Sequence, residues 1–228
     1  MKYKYLLFDL DGTIFDYDGA ESGALEKTFE YFGLTYSDSF LKEYRKINKQ
    51  IWQDYELGHI SQEKLRTERF RRLGISLGIN FDLKDISLIY LKNLSSQRYL
   101  LPGTLSLLED LSERSFKMYL ITNGLKDVQR SRLSESEITR YFTDIFISEE
   151  IGFAKPDQAI FNEVFKRMSY PDKRSVLIIG DSLTSDIAGG NNSGIDTCWF
   201  NPDKLNNNTK IFPTYELTNI CDLIRILM

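Results

Sequence analysis

Five short apolar runs along the chain predict the strands of a buried sheet. They cover residues 5–8, 118–121, 144–148, 176–179 and 197–200. The runs lack the regular alternation of apolar and polar residues that is expected of a strand with one wet face. Strands of this kind are typical of a parallel sheet that is covered by helices on both faces.

Helical patterns lie between and after these runs. Two apolar stripes repeat at the three- and four-residue spacing of a helix face. Their members are Ile160, Phe161, Val164, Phe165 and Met168 in the first stripe, and Leu217, Ile220, Cys221, Ile224 and Leu227 in the second. Strands that alternate with such helices indicate an α/β fold of Rossmann-like type, an open parallel sheet flanked by helices.

The stretch 17–99 breaks this alternation and predicts an inserted helical domain. It contains no convincing strand, and its apolar residues recur at helical spacing. The clearest stripe consists of Phe40, Tyr44, Ile47, Ile51 and Tyr55. Pro102 and Gly103 mark the return to the sheet. We therefore expect a core domain made of residues 1–16 and 100–228, with an α-helical cap domain at 17–99.

The net charge and the cysteines argue against several classes of protein, including nucleic-acid-binding and disulfide-rich proteins. A net charge of −4 provides no electrostatic basis for binding nucleic acid, so an anionic ligand would have to be attracted locally. Cys198 and Cys221 match no metal-ligand spacing and no disulfide framework, which favours reduced cysteines in a cytoplasmic protein. The apolar run at the N-terminus is too short for a signal peptide, and no stretch approaches the length of a membrane span.

The segment from Asp9 to Thr13, with the sequence DLDGT, is the first candidate for chemistry. It follows a predicted strand, and open α/β sheets bind ligands beyond the carboxyl ends of their strands. Asp9 and Asp11 would project to the same side of an extended chain and could divide an acid–base role. An ordinary Asp-Gly turn is the structural alternative. A calcium-binding loop does not fit, because its sixth and twelfth positions are Ile14 and Ala20.

Two further segments offer groups that could bind an anion. Thr122, Asn123 and Gly124 follow the second predicted strand and present a hydroxyl and backbone amides, although a helix N-cap is the alternative. Lys155 stands just before Pro156, which we expect at the first position of a helix. This lysine could hold an anion as a point charge, or it could be an ordinary lysine in solvent.

Two more carboxylates, Asp181 and Asp186, follow the fourth predicted strand, where capping of a helix is the alternative. Together, the four segments would bring carboxylates, a hydroxyl and a lysine to one edge of the sheet. Mg²⁺ prefers hard oxygen ligands and neutralises phosphate charge, while a lysine and backbone donors stabilise the remaining phosphate oxygens. The combination predicts phosphoryl transfer with Mg²⁺.

The segments DLDGT, ITNG, AKPD and GDSLTSD occur in this order and resemble the four motifs of the haloacid dehalogenase-like hydrolase superfamily. The resemblance spans essentially the whole chain, and the helical insertion is similar to the α-helical cap of that superfamily. The stretch 194–202 resembles the bacterial branch of pyrimidine 5′-nucleotidases. The resemblance implies a cytoplasmic phosphomonoester hydrolase for a small phosphorylated metabolite, with a pyrimidine nucleoside 5′-monophosphate as the expected substrate.

The resemblance also implies a role for each motif residue. Asp9 attacks phosphorus and becomes an aspartyl-phosphate, while Asp11 protonates the leaving oxygen and then activates water. Mg²⁺ is bound by the Asp9 carboxylate, the Asp11 backbone carbonyl and Asp181, and Asp186 supports a metal-bound water or the motif lysine. The groups that hold the phosphoryl oxygens are Thr122, the amides near Asn123 and Gly124, and Lys155.

Several alternatives remain open at this point. A phosphomutase or a sugar-phosphate phosphatase of the same superfamily would carry the same four motifs. The metal-free dehalogenases of the superfamily lack the second aspartate of the first motif, so Asp11 argues against dehalogenation. The intact catalytic positions argue against a non-catalytic binding protein. We expect a monomer or a weak dimer, without nucleic-acid or membrane partners.

Substrate specificity is expected to reside in the cap, where Trp52, Tyr55 and Arg69 are candidates. Trp52 and Tyr55 could stack on a base, although their helical spacing with Ile51 is also typical of core residues. Arg69 could face the substrate, but an arginine in solvent is the more ordinary outcome. His59, beside a glycine in a predicted helix connection, is expected at the surface.

Overall fold

The chain folds into two structural units, shown by a computed structural model that describes residues 2–228. One unit contains the described residues up to Tyr17 together with Tyr99–Met228, and it is called the core unit below. The other contains Asp18–Arg98 and is called the cap unit.

The core unit is built on a fully parallel sheet. Over residues 2–228 its six strands are β1 (Tyr5–Phe8), β2 (Lys117–Thr122), β3 (Phe142–Ile147), β4 (Val176–Gly180), β5 (Asp196–Phe200) and β6 (Tyr215–Leu217). They follow the order β3-β2-β1-β4-β5-β6, and each neighbouring pair is parallel. The α/β fold class predicted from the sequence is confirmed, with β1 between β2 and β4.

Helices connect the strands and also form the cap unit. Their bounds are α1 (Tyr17–Tyr31), α2 (Asp38–Glu56), α3 (Gln62–Leu77), α4 (Leu83–Ser95), α5 (Thr104–Glu113), α6 (Lys126–Ser134), α7 (Ser148–Ile151), α8 (Gln158–Arg167), α9 (Ala188–Ser193) and α10 (Leu223–Leu227). Ser148 was expected in a strand but begins α7, where its carbonyl accepts a hydrogen bond from the N–H of Gly152 at 2.8 Å. None of the helices in residues 2–228 is both long enough and apolar enough to cross a membrane.

The side chains of β1 alternate between two buried apolar layers. Leu6 and Phe8 belong to a layer that includes Leu108 of α5, whereas Leu7 belongs to a layer that includes Phe161 of α8. All three strand residues are fully buried. An apolar run without alternation is stable in this strand because both faces of the sheet are covered.

The C-terminal apolar stripe is not one helix, so this sequence prediction is wrong. Leu217 ends β6, where it pairs with Phe200 of β5, and α10 begins only at Leu223. Between them, Asn219 accepts a hydrogen bond from the N–H of Cys221 at 3.0 Å and caps a separate 3₁₀ turn. The strand, the turn and the short helix bury Leu217, Ile220 and Leu227 of the stripe, whereas Cys221 is exposed.

The cap unit consists of helices and their connections, and residues 18–98 contain no strand. The stripe predicted from residue 40 onward lies on α2, which buries Tyr44, Ile47 and Ile51. The rings of Tyr44, Phe70 and Tyr90 meet with centroids 5.3–5.9 Å apart. These rings, contributed by α2, α3 and α4, supply much of the apolar interior of the unit.

The burial of β4 predicts that alanine substitution at a strand leucine lowers the free energy of unfolding more than the same substitution at an exposed leucine. Leu177 is fully buried in the sheet, whereas Leu205 is 62% exposed in the loop after β5. We expect Leu177→Ala to lower the free energy of unfolding by about 2–5 kcal/mol, because it leaves a cavity. The matched variant Leu205→Ala should change it by no more than about 0.5 kcal/mol. Urea unfolding followed by circular dichroism makes the comparison, and equal midpoints would contradict the assigned core.

Candidate active site

Three neighbouring strands of the core unit end in the polar residues that the sequence singles out. Asp9 follows β1, Thr122 ends β2, and Asp181 follows β4. Because β2, β1 and β4 are adjacent and parallel, their carboxyl ends lie side by side, about 5 Å from one strand to the next. The sheet order therefore brings together three segments that are far apart in the sequence.

Lys155 occupies the centre of this edge. Its ammonium group donates to Asp9 Oδ1 at 2.5 Å, to Asp186 Oδ1 at 2.6 Å and to the carbonyl oxygen of Ile121 at 2.8 Å. An ammonium group has three protons to donate, so all of them are used. Lys155 is only 1% exposed, and the alternative of an ordinary lysine in solvent is wrong.

The charge of Lys155 is stabilised by its partners. Burial alone would lower the pKa of this lysine, but the negative charges of Asp186 and Asp9 outweigh that effect and raise the pKa above its ordinary value. The lysine is therefore a permanent positive charge at the pH of a cell.

Asn123 places the backbone of Lys155. Its Oδ1 accepts a hydrogen bond from the N–H of Lys155, and its Nδ2 donates to the carbonyl oxygen of Lys155, both at 2.8 Å. The side chain of Asn123 is thus committed to positioning the lysine. Pro156 is not the first helical residue, as the sequence suggested, because α8 begins at Gln158. Asp157 caps that helix by accepting a hydrogen bond from the N–H of Ala159.

The carboxylates of Asp9, Asp181 and Asp186 each place an oxygen within 4.8 Å of the others. Burial raises the pKa of Asp9 to about 7; the charge of Lys155 opposes this rise, and the charge of Asp186 adds to it. The pKa of Asp181 is also raised, by desolvation of its carboxylate and by the charges of Asp9 and Asp186, although the residue as a whole is exposed. One lysine cannot balance three carboxylates, and such a set of hard oxygen donors fits a divalent cation.

Two glycines leave room for these carboxylates. Gly12 has a φ of +84°, and a Cβ atom there would lie 2.6 Å from Oδ2 of Asp181. A Cβ atom on Gly180 would overlap the carboxylate of Asp186. Any side chain at either position would therefore displace a carboxylate of the cluster.

The hydroxyl of Thr122 has a defined direction. Its oxygen accepts hydrogen bonds from the N–H of Gly124 and from Nε2 of Gln129, both at 3.1 Å. These bonds occupy both lone pairs, so the hydroxyl proton is left to donate to another group. An anion oxygen at the sheet edge is a suitable acceptor. The N–H of Gly124 is engaged by Thr122, so this geometry supports the hydroxyl, rather than that amide, as the donor to an anion.

The carboxylate of Asp11 is held by side chains of α6. It accepts hydrogen bonds from Gln129 and Arg132, neither of which the sequence analysis identified. Trp199 was also missed as a site residue, and its indole N–H donates to the carbonyl oxygen of Asp181 at 2.8 Å. The only signal in the sequence for Gln129 and Arg132 was their spacing, three residues apart after the second motif. Their burial could not be predicted, because it depends on residues that are distant in the sequence.

Arg69 in the cap unit is buried, so the expectation of an arginine in solvent is wrong. Its Nε donates to the carbonyl oxygen of Leu65 at 2.9 Å, and its Nη1 donates to the hydroxyl of Tyr44 at 3.3 Å. The guanidinium carbon lies 6.0 Å from the ring centroid of Trp52 and 5.8 Å from that of Tyr90. Hydrogen bonds and aromatic faces replace the water that this charge would otherwise need.

The other cap candidates are only partly buried. Trp52 and Tyr55 make an edge contact with ring centroids 6.0 Å apart, and both keep part of their surface open to solvent. His59 is exposed, as expected. The structure therefore shows Trp52 beside the buried Arg69 within the cap unit, with Tyr55 against the tryptophan ring.

Comparison with known proteins identifies close relatives. The family model described as "Haloacid dehalogenase-like hydrolase" matches residues 6–200. The chain is 40% identical to the pyrimidine 5′-nucleotidase PynA of Streptococcus pneumoniae, over 100% of this chain and 96% of the relative. It is 32% identical to the pyrimidine 5′-nucleotidase YjjG of Escherichia coli, over 100% and 99% of the two chains. The crystal structure of the HAD-hydrolase YfnB of Bacillus subtilis, described as bound to magnesium, superposes with a TM-score of 0.94 at 37% identity and covers 100% of this chain and 99% of that one.

The carboxylate cluster predicts how stability depends on pH in EDTA. Asp9 has a folded-state pKa of about 7 against an ordinary value of 3.8, so folding favours its protonated form. Its contribution to stability is complete below about pH 4 and is lost as the pH rises through 7. We expect wild type to lose more thermal stability than Asp9→Asn between about pH 5 and pH 8, and Mg²⁺ to restore wild type at pH 8. The exposed variant Asp203→Asn should behave as wild type, and equal pH slopes for wild type and Asp9→Asn would contradict the cluster.

Proposed function

The chain belongs to the haloacid dehalogenase-like hydrolase family, and on this premise we propose that it hydrolyses phosphate monoesters with Asp9 as the nucleophile. The observation that carries the proposal is the cluster in which the buried Lys155 holds Asp9 and Asp186, with the exposed Asp181 beside them. A carboxylate fixed by a buried cation at a sheet edge is oriented for attack on phosphorus.

The reaction follows two steps at Asp9. An oxygen of the Asp9 carboxylate bonds to phosphorus as the bond to the leaving oxygen breaks, and Asp11 supplies the proton that the leaving oxygen takes up. Water then attacks the aspartyl-phosphate and releases inorganic phosphate, and its proton goes to Asp11. The Thr122 hydroxyl donates to an oxygen of the phosphoryl group, and the positive charge of Lys155 stabilises the negative charge on the phosphoryl oxygens.

The same carboxylates fit a magnesium ion. We assign its ligands to the Asp9 carboxylate, the Asp11 backbone carbonyl and Asp181, with Asp186 placed behind them against Lys155. When bound, Mg²⁺ would supply positive charge that balances the cluster and the phosphate oxygens. The description of the YfnB structure as bound to magnesium supports this assignment.

We assign the substrate class to nucleoside 5′-monophosphates, with pyrimidine bases preferred. Two relatives that match essentially the full chain are named pyrimidine 5′-nucleotidases. The net charge of −4 disfavours polyanions, so a monophosphate suits the chain better than a triphosphate or a nucleic acid. Residues 17–99 would act as the specificity cap, where Trp52 and Tyr55 offer partly open rings; a base gains about 1–3 kcal/mol by stacking on such a ring.

A comparison of substrates tests the assignment. We expect kcat/KM with Mg²⁺ to be higher for dTMP, dUMP and UMP than for ribose, fructose and glycerol phosphates, because the cap rings favour a base.

Asp9→Asn should abolish turnover, since a neutral amide cannot form the acyl-phosphate, whereas the matched variant Asp203→Asn should remain active. EDTA should silence wild type.

Two outcomes would count against the proposal at different levels. A sugar phosphate preferred over the best pyrimidine nucleotide by about tenfold would overturn the nucleotide assignment and leave the phosphatase assignment intact. Retention of about a tenth of wild-type turnover by Asp9→Asn would overturn the nucleophile itself.

A further inference from the structure

The Asp11 carboxylate is held by two buried side chains of α6. Nη1 of Arg132 donates to Oδ1 of Asp11 at 2.5 Å, and Nε2 of Gln129 donates to Oδ2 at 2.6 Å. Arg132 is fully buried and Gln129 is 1% exposed. Both carboxylate oxygens are thus held by donors that one helix carries, and Arg132 and Gln129 are called the α6 clamp below.

The α6 clamp is itself immobilised. Nη1 of Arg132 also donates to Oε1 of Gln129 at 3.1 Å, and the guanidinium carbon lies 4.4 Å from the ring centroid of Phe15. Nε2 of Gln129 has a second acceptor in the hydroxyl of Thr122, at 3.1 Å. One amide therefore sets the orientation of both Asp11 and Thr122.

Stability alone does not account for this arrangement. A buried ion pair often contributes no more to stability than apolar residues of similar volume, and α6 also buries the apolar residues Val128 and Leu133. The neighbouring loop is also shaped around the clamp, because a Cβ atom on Gly124 would overlap the amide of Gln129. The buried ion pair and the loop that leaves room for Gln129 are both expected if the orientation of Asp11 matters for the reaction.

We propose that Arg132 and Gln129 are positioning residues that hold Asp11 as the base for hydrolysis of the aspartyl-phosphate. This inference rests on the proposed function. A carboxylate has about four lone-pair positions, and the two donors occupy two of them, so Asp11 can still accept a proton while it is held. In this step the water oxygen bonds to phosphorus, the bond from phosphorus to the Asp9 oxygen breaks with its electron pair staying on Asp9, and the water proton passes to Asp11.

Loss of the clamp has a kinetic signature that a general structural defect lacks. When hydrolysis of the phosphoenzyme becomes slow, kcat and KM fall together, whereas kcat/KM still reports the steps up to phosphoenzyme formation. The probe 4-nitrophenyl phosphate isolates this effect, because its leaving group departs without needing a proton. A structural defect would instead lower kcat/KM along with kcat.

The test compares Gln129→Met and Arg132→Met with Arg130→Met, an exposed position on the same helix that pairs with Glu150. With 4-nitrophenyl phosphate and Mg²⁺, both clamp variants should lose about tenfold or more in kcat, as part of the 10²–10⁴ that acid–base catalysis supplies. In Arg132→Met, kcat/KM should stay within about threefold of wild type, and a burst near one equivalent of nitrophenolate should precede steady turnover. Gln129→Met also removes a donor from the Thr122 hydroxyl, so its kcat/KM is expected to fall as well. Arg132→Lys, which keeps a charged donor, should lie between Arg132→Met and wild type.

Each other result has a defined meaning. Clamp variants that match Arg130→Met in kcat and burst, or that turn over faster than wild type, would overturn the positioning role while phosphatase activity stands. A parallel loss of kcat and kcat/KM in Arg132→Met would also overturn it, because the defect would then precede phosphoenzyme formation. A wild type that is inert toward 4-nitrophenyl phosphate and all nucleotides would overturn the proposed function, and the inference with it.

Discussion

The buried ammonium group of Lys155 joins the carboxylates of the site into one cluster. It donates to Asp9, Asp186 and the main chain of β2, and it has no proton left for water. An isolated lysine removed from water would lose its charge, and the two carboxylates would repel each other if the lysine were absent. The lysine keeps its charge because the carboxylates are present, and its charge in turn offsets their repulsion, so the three side chains depend on one another.

The parallel sheet determines which groups can join that unit. Asp9, Thr122 and Asp181 meet because β1 lies between β2 and β4, and the connection that contains Lys155 is fixed by the side chain of Asn123. Small residues then allow the carboxylates to approach one another closely, as Gly12 does for Asp181. The geometry of the site is therefore a consequence of strand order and of local space.

The sequence predicted the fold and the placement of the candidate site residues correctly where polar residues directly follow a recognisable apolar strand. Apolar runs located the first five strands, and polar residues directly after them identified Asp9, Thr122 and Asp181 as neighbours at one sheet edge. The boundary at Leu217 was missed because a strand, a turn and a short helix in succession bury Leu217, Ile220 and Leu227 at a spacing that one helix would also give. The roles of Arg132 and Arg69 were missed because burial of a charge depends on distant partners: Arg132 bonds to Asp11 across 121 positions of sequence, and no local pattern reports such a contact.

The central claim is that Asp9 carries the phosphoryl group during turnover. An acid quench during turnover with dTMP and Mg²⁺, followed by borohydride, would reduce an aspartyl-phosphate to homoserine, which peptide mass spectrometry can locate. Reduction at Asp9 alone, only when substrate is present and not in Asp9→Asn, is the result the account predicts. Reduction at Asp11 or Asp181, or active turnover without any reduced aspartate, would contradict it.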